Sequence, residues 1–135
     1  MIRPFESTDI RRLKPNEFSE PYDIDFILDD PESIKFTQVD NDSNVVCIIC
    51  AKRYWGDNYM AFFLIAQEYP PKLARELKKA VHDFIKDCGV KRIQTDSVDC
   101  DLLNRWHSFL QFKSEGVRKK MIFDRDYISW AWVEQ

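Results

Sequence analysis

One stretch decides the fold. Asn58-Tyr-Met-Ala-Phe-Phe-Leu-Ile-Ala66 runs into Gln67-Glu-Tyr-Pro-Pro71, which opens Lys72-Leu-Ala-Arg-Glu-Leu-Lys-Lys-Ala-Val-His-Asp-Phe-Ile-Lys-Asp-Cys-Gly89. The first part, aromatic and apolar throughout, reads as a buried strand over residues 59–66. The last part reads as a long amphipathic helix: Leu73, Ala74, Leu77, Ala80, Val81, Phe84, Ile85 and Cys88 recur at helical spacing. Lys72, Arg75, Glu76, Lys78, Lys79, His82, Asp83 and Lys86 make its wet face. Proline suits a first helical turn and Gly89 a C-terminal cap. A strand, a tight turn and a helix N-terminus together form a common phosphate-binding device, because unpaired N–H groups point outward there. Such turns are normally rich in glycine; this one carries Tyr69-Pro70-Pro71.

Working outward, residues 2–5 read as a strand whose Pro4 suits an edge. Ser7-Thr8-Asp9 supplies helix-capping residues ahead of Ile10-Arg-Arg-Leu13. An acidic, proline-punctuated stretch follows, with a short helix expected at residues 23–28. Ile34-Lys-Phe-Thr-Gln-Val39 alternates as a strand, Asp40-Asn-Asp-Ser-Asn44 is a turn, and residues 45–54 form a buried strand. After the long helix come a strand at 91–95 and a helix at 101–110. Leu102, Leu103, Trp106, Phe109 and Leu110 are expected to face inward on that helix. A strand, crossover helix and strand imply a parallel pair. Residues 117–123 and 127–133 close the chain as a hairpin, with Trp130 and Trp132 on one face. The Arg118-Lys-Lys120 cluster reads as a solvated strand edge. The expectation is one α/β domain over 1–135 with a mixed sheet, in the order β-α-α-β-β-β-α-β-α-β-β.

Composition narrows the function. The 135 residues carry a net charge of −3, which gives no basic footprint for nucleic acid. No segment is apolar enough to span a membrane, and the N-terminus lacks a signal-like apolar region, so a soluble cytoplasmic protein is expected. Cys47 and Cys50 form a C-x-x-C, but inside a strand-like run, where residues three apart point to opposite faces. They read as buried reduced thiols. With only two histidines, His82 and His107, a histidine zinc site is not expected and no metal is assigned.

The element order resembles the GNAT family of N-acetyltransferases over nearly the whole chain. Ile2-Arg-Pro-Phe-Glu-Ser-Thr-Asp-Ile10 is similar to the family's opening strand and D-x-x-x-L helix. The strand meander runs into the long helix as in the family. Asp101-Leu-Leu-Asn-Arg-Trp-His-Ser-Phe-Leu-Gln-Phe-Lys-Ser-Glu-Gly116 is similar to the late helix and the G-F-x-x-E-G segment, with Gln111-Phe112 at the Gly-Phe position.

The resemblance implies acetyl-CoA as cofactor. The strand before the long helix would splay from its neighbour and bond the pantetheine arm through the backbone of Leu64, Ile65 and Ala66. The pyrophosphate would meet the turn, where Lys72, Leu73 and Ala74 are left to offer N–H groups because Pro70 and Pro71 have none. Cys100 (or Asp101) falls where the family has an asparagine, and His107 where it has the tyrosine that protonates the departing thiolate. A histidine is a possible acid near neutral pH. Glu68 and Asp96, at strand ends, are the candidate bases. The acidic run over residues 17–30 falls at the family's acceptor wall and would favour a cationic amine.

The resemblance thus points to acetyl-CoA-dependent N-acetyl transfer to a small-molecule or protein amine. The alternative is a catalytically inactive GNAT-fold structural or interaction protein with a protein partner or as a homo-oligomer. The chain is similar to small phage-encoded GNAT-like proteins in its brevity and its turn. Such an origin would place it in host cytoplasm or the virion. A gap between the strands at Leu64 and Ile93 would leave room for pantetheine, and a filled one would not.

Overall fold

The computed structural model describes residues 1–14, 29–122 and 124–135. The helix expected at 23–28 and most of the acidic run lie outside them. The described residues form one seven-stranded mixed sheet with helices on both faces. The elements are β1 (Ile2–Pro4), α1 (Asp9–Arg12), β2 (Ile34–Val39), β3 (Val45–Trp55) and β4 (Asn58–Ile65). A 3-10 turn (Pro71–Leu73) leads into α2 (Ala74–Asp87), followed by β5 (Arg92–Val98), α3 (Asp101–Phe109), β6 (Lys113–Ile122) and β7 (Arg125–Val133). The sheet order is β1-β2-β3-β4-β5-β7-β6. Of the neighbouring pairs only β4 and β5 run parallel, as the crossover through α2 requires.

Strand alternation divides the core in two. Cys47, Ile49, Ala51, Ala61 and Ile65 face α2 and α3, while Val46, Ile48 and Cys50 pack with Leu13 on the α1 side. The two cysteines therefore point to opposite faces, as their spacing implies. Burial pushes the Cys50 thiol up to about 12 and Cys47 higher still.

On α2, Leu77, Val81, Phe84 and Ile85 bury against the sheet, and Phe84 meets Tyr59 edge-on at 5.4 Å. The helix closes with two bonds around Gly89, whose φ is +61°. Val90 N–H donates to the Ile85 carbonyl at 3.0 Å, and Gly89 N–H to Lys86 at 3.4 Å. This is the Schellman arrangement. Cys88, expected on the buried stripe, is exposed because the chain leaves the helix there.

Asp9 departs from its expected capping role. Thr8 is the N-cap and makes no side-chain cap bond. Asp9 is fully buried and accepts from Arg3 (2.8 and 2.9 Å), Thr37 Oγ1 (2.7 Å) and Glu6 N–H (2.9 Å). One carboxylate thus ties β1, α1 and β2 together. Burial opposes its charge, but the Arg3 guanidinium and the other two donors win, holding the carboxyl at about 2.

Candidate active site

β4 and β5 pair at Asn58↔Arg92, Tyr59↔Ile93 and Met60↔Gln94, and the ladder ends there. The remainder of both strands diverges. Ala66 N–H donates to the Val46 carbonyl at 2.9 Å, so by the two-residue period the peptide groups of Leu64 and Ala66 face β3. Those of Ala61 and Phe63 face the divergence.

On the helix side, at the C-terminal end of β4, lies a cleft of about 510 Å³. Ile65, Ala66 and Tyr69 form one end, α2 contributes Ala74 and Arg75, and α3 contributes Leu102, Arg105, Trp106 and Phe109. Leu102 and Phe109, expected in the core, are 49% and 38% exposed along this cleft. The buried residues of α3 are Leu103 and His107. The stripe is rotated toward the cleft because a wall as well as a core needs apolar side chains. Trp106 meets Tyr69 edge-on at 5.0 Å, joining α3 to the turn.

The turn is short of donors. Pro70 and Pro71 have no N–H. Leu73 N–H bonds the Pro70 carbonyl at 3.0 Å, and Ala74 N–H bonds that of Pro71. Gln67 N–H is taken by Lys14 at 2.7 Å. Of the three residues expected to offer N–H groups, Leu73 and Ala74 spend theirs inside the turn; Lys72 is exposed beside it.

The predicted catalytic residues are not brought together. His107 is buried on the helix side, stacked on Trp130 at 5.2 Å and edge-on to Phe63 at 6.0 Å. Its Nδ1 lies 2.7 Å from the Leu103 carbonyl and so carries the proton. Burial lowers its pKa to about 4 despite that bond, and the ring is neutral at pH 7. Asp96 is exposed, accepts from Ser129 Oγ at 2.8 Å and lies 3.6 Å from Arg118. Its neighbours Thr95 and Ser97 are buried, and Ser97 Oγ receives the Trp130 indole N–H at 3.1 Å, so Asp96 takes the opposite face. Glu68 lines a separate pocket of about 380 Å³ with Arg12, Lys14 and Asp40. Cys100 is the N-cap of α3, half-buried, with no side-chain cap bond. Leu64 packs in the α1-side core.

Arg75 was legible only as a wet-face residue, and nothing in the sequence singled out Arg105. What marks them is position: each lines the cleft, and among the described residues neither has an ion-pair partner. No carboxylate is among the cleft's described lining residues.

No protein-family model matches the sequence. No curated protein matches it either. Solved structures do. The ribosomal-protein-S18-alanine N-acetyltransferase from Escherichia coli superposes with a TM-score of 0.78 at 15% identity, covering 98% of this chain and 92% of that one. The spermidine/spermine N-acetyltransferase SpeG from Vibrio cholerae gives 0.73 at 18% identity, with 98% and 91% covered. An acetyltransferase of the GNAT family from Bacillus anthracis gives 0.67 at 16%, with 98% and 93% covered. The chain has the GNAT fold.

Proposed function

We propose that the protein is an acetyl-CoA-dependent N-acetyltransferase acting on an amine by direct transfer. Two observations carry this reading: the pairing of β4 with β5 ends at Met60 and Gln94, and a cleft walled by α2 and α3 lies at the end of β4. The residues present fit an elongated ligand with an apolar arm and anionic groups. Peptide groups at Ala61 and Phe63 face the divergence, and apolar side chains of Ile65, Leu102 and Phe109 line the cleft. Acetyl-CoA supplies the activated acetyl group.

The chain's own contribution is positioning. A peptide N–H directed at the acetyl carbonyl would stabilise the negative charge that grows on its oxygen. Of the two candidate bases we take Asp96, exposed on the sheet face opposite the buried Thr95 and Ser97. Through a water it would take the amine's proton; formation of the C–N bond and cleavage of the C–S bond would release CoA as its thiolate, which would take up a proton from solvent. Ser129 and Arg118 hold its carboxylate in place. His107 is neutral and packed, and the reading does not depend on it. A cationic polyamine and a protein amine are both consistent with this chemistry. The named activities of the SpeG and ribosomal-protein structures are what bring these two acceptor classes into view.

A thermal-shift titration with acetyl-CoA tests the proposal. Ligand at about a hundred times its dissociation constant should stabilise the fold by about 2.7 kcal/mol. No shift at millimolar ligand would sink it and leave the inactive, interaction-protein reading.

A further inference from the structure

The structure assigns phosphate recognition in this cleft to two side chains, Arg75 and Arg105, in place of the main chain of the turn. This rests on the cofactor reading above. Four observations carry it. The turn's backbone is short of donors: two prolines lack N–H groups, and Leu73 and Ala74 donate to the Pro70 and Pro71 carbonyls, so of the three residues expected to donate only Lys72 does not spend its N–H inside the turn. The turn is also fixed in that form, because Tyr69 Oη donates to Gln38 Oε1 at 2.7 Å and Gln38 Nε2 donates to the Leu73 carbonyl at 2.9 Å. It cannot reorganise into a cradle without breaking these two bonds.

Arg75 and Arg105 stand on the two helices that wall the cleft, and both are exposed. Neither is neutralised by a carboxylate among the described residues. Glu76, the acid beside Arg75, binds the Met1 amine at 2.9 Å and Gln38 at 3.1 Å, and Asp101, one turn before Arg105 on the same helix, makes no ion pair with it. A further cation, Lys78, sits 5.0 Å over the Phe109 ring at the cleft's edge.

Guanidinium groups present paired donors that match phosphate oxygens bidentately, and they need no strained backbone to do so. Two of them on facing walls can grip a diphosphate or two separated phosphates. The cleft's apolar lining would take the uncharged remainder of the same ligand.

The test is calorimetric titration of the full chain with CoA and with pantetheine, neither of which requires turnover. Arg75→Gln and Arg105→Gln should each weaken CoA binding by about tenfold or more, the cost of losing a charge-assisted contact. Pantetheine, lacking phosphates, should bind all three proteins alike. Arg105→Lys should recover part of the loss, and circular dichroism verifies that each variant is folded. On the unaltered chain, CoA affinity should fall with added salt while pantetheine affinity stays level. CoA binding that is untouched in both glutamine variants overturns the assignment and leaves the transferase reading standing. A chain that binds neither CoA nor pantetheine overturns both.

Discussion

The Tyr69 hydroxyl donates a 2.7 Å hydrogen bond to Oε1 of Gln38, a fully buried amide on β2. Gln38 in turn donates to the Leu73 carbonyl and to Glu76. The proline turn is therefore held from beneath by one side chain, and its shape is set by the sheet as well as by the local sequence. Tyr69→Phe leaves the Gln38 oxygen unpaired in the interior. The expected loss is about 1–3 kcal/mol. Urea unfolding should show a lower midpoint with an unchanged slope. A double variant with Gln38→Leu should lose less than the sum of the two single changes, since the two side chains act on each other.

How far the sequence could be read is clear at this turn. Periodicity and turn chemistry made the strand, the prolines and α2 legible. The parallel crossover followed from the strand–helix–strand order. Gln38 was invisible, because a glutamine on an alternating strand has no pattern to show that it is buried. The same limit applies to α3. Leu102 and Phe109 carry the apolar signal of a core position, and only the cleft at the end of β4 turns them into a wall. Arg75 reads as solvated for the converse reason, and Arg105 draws no reading at all. A helix's polar face looks the same in sequence whether it meets bulk water or a binding cleft.

Asp9 should govern acid stability. Its folded pKa of about 2 lies below the ordinary carboxylate value. The stabilisation is therefore fully present above about pH 4 and is lost as pH falls toward 2, roughly 2 kcal/mol in all. Asp9→Asn should be destabilised by about that much or more at pH 7, because Arg3 loses its buried partner. The gap between the two proteins should close across that acid window in pH-resolved denaturant titrations. A gap that stays constant down to pH 2 would show that Asp9 acts through shape and not through charge.

Gly89→Ala isolates a backbone effect. Nothing lies within 4 Å of an added Cβ, so the change meets no clash. The cost is the left-handed φ of +61° that the Schellman closure demands. About 1 kcal/mol is expected, read as a lower thermal midpoint with the circular dichroism spectrum unchanged.

His107 separates a packing ring from a proton donor. It stacks on Trp130, donates through Nδ1 to Leu103, and has a pKa lowered to about 4 by burial. A depressed histidine pKa means that folding favours the neutral ring. Its contribution is complete above about pH 6.5 and is lost as pH falls toward 4, on the order of 3 kcal/mol. In a proton NMR titration its ring resonance should stay at the neutral position down to pH 5 and move only near 4. His107→Phe should flatten the stability–pH curve between those limits, since the variant has no ring to protonate. Acetyl transfer by that variant, if the fold holds, should keep a wild-type pH profile. A ring that titrates above pH 6, together with a profile that loses its acidic limb in His107→Phe, would put an imidazolium at the site and return the acid role to this residue.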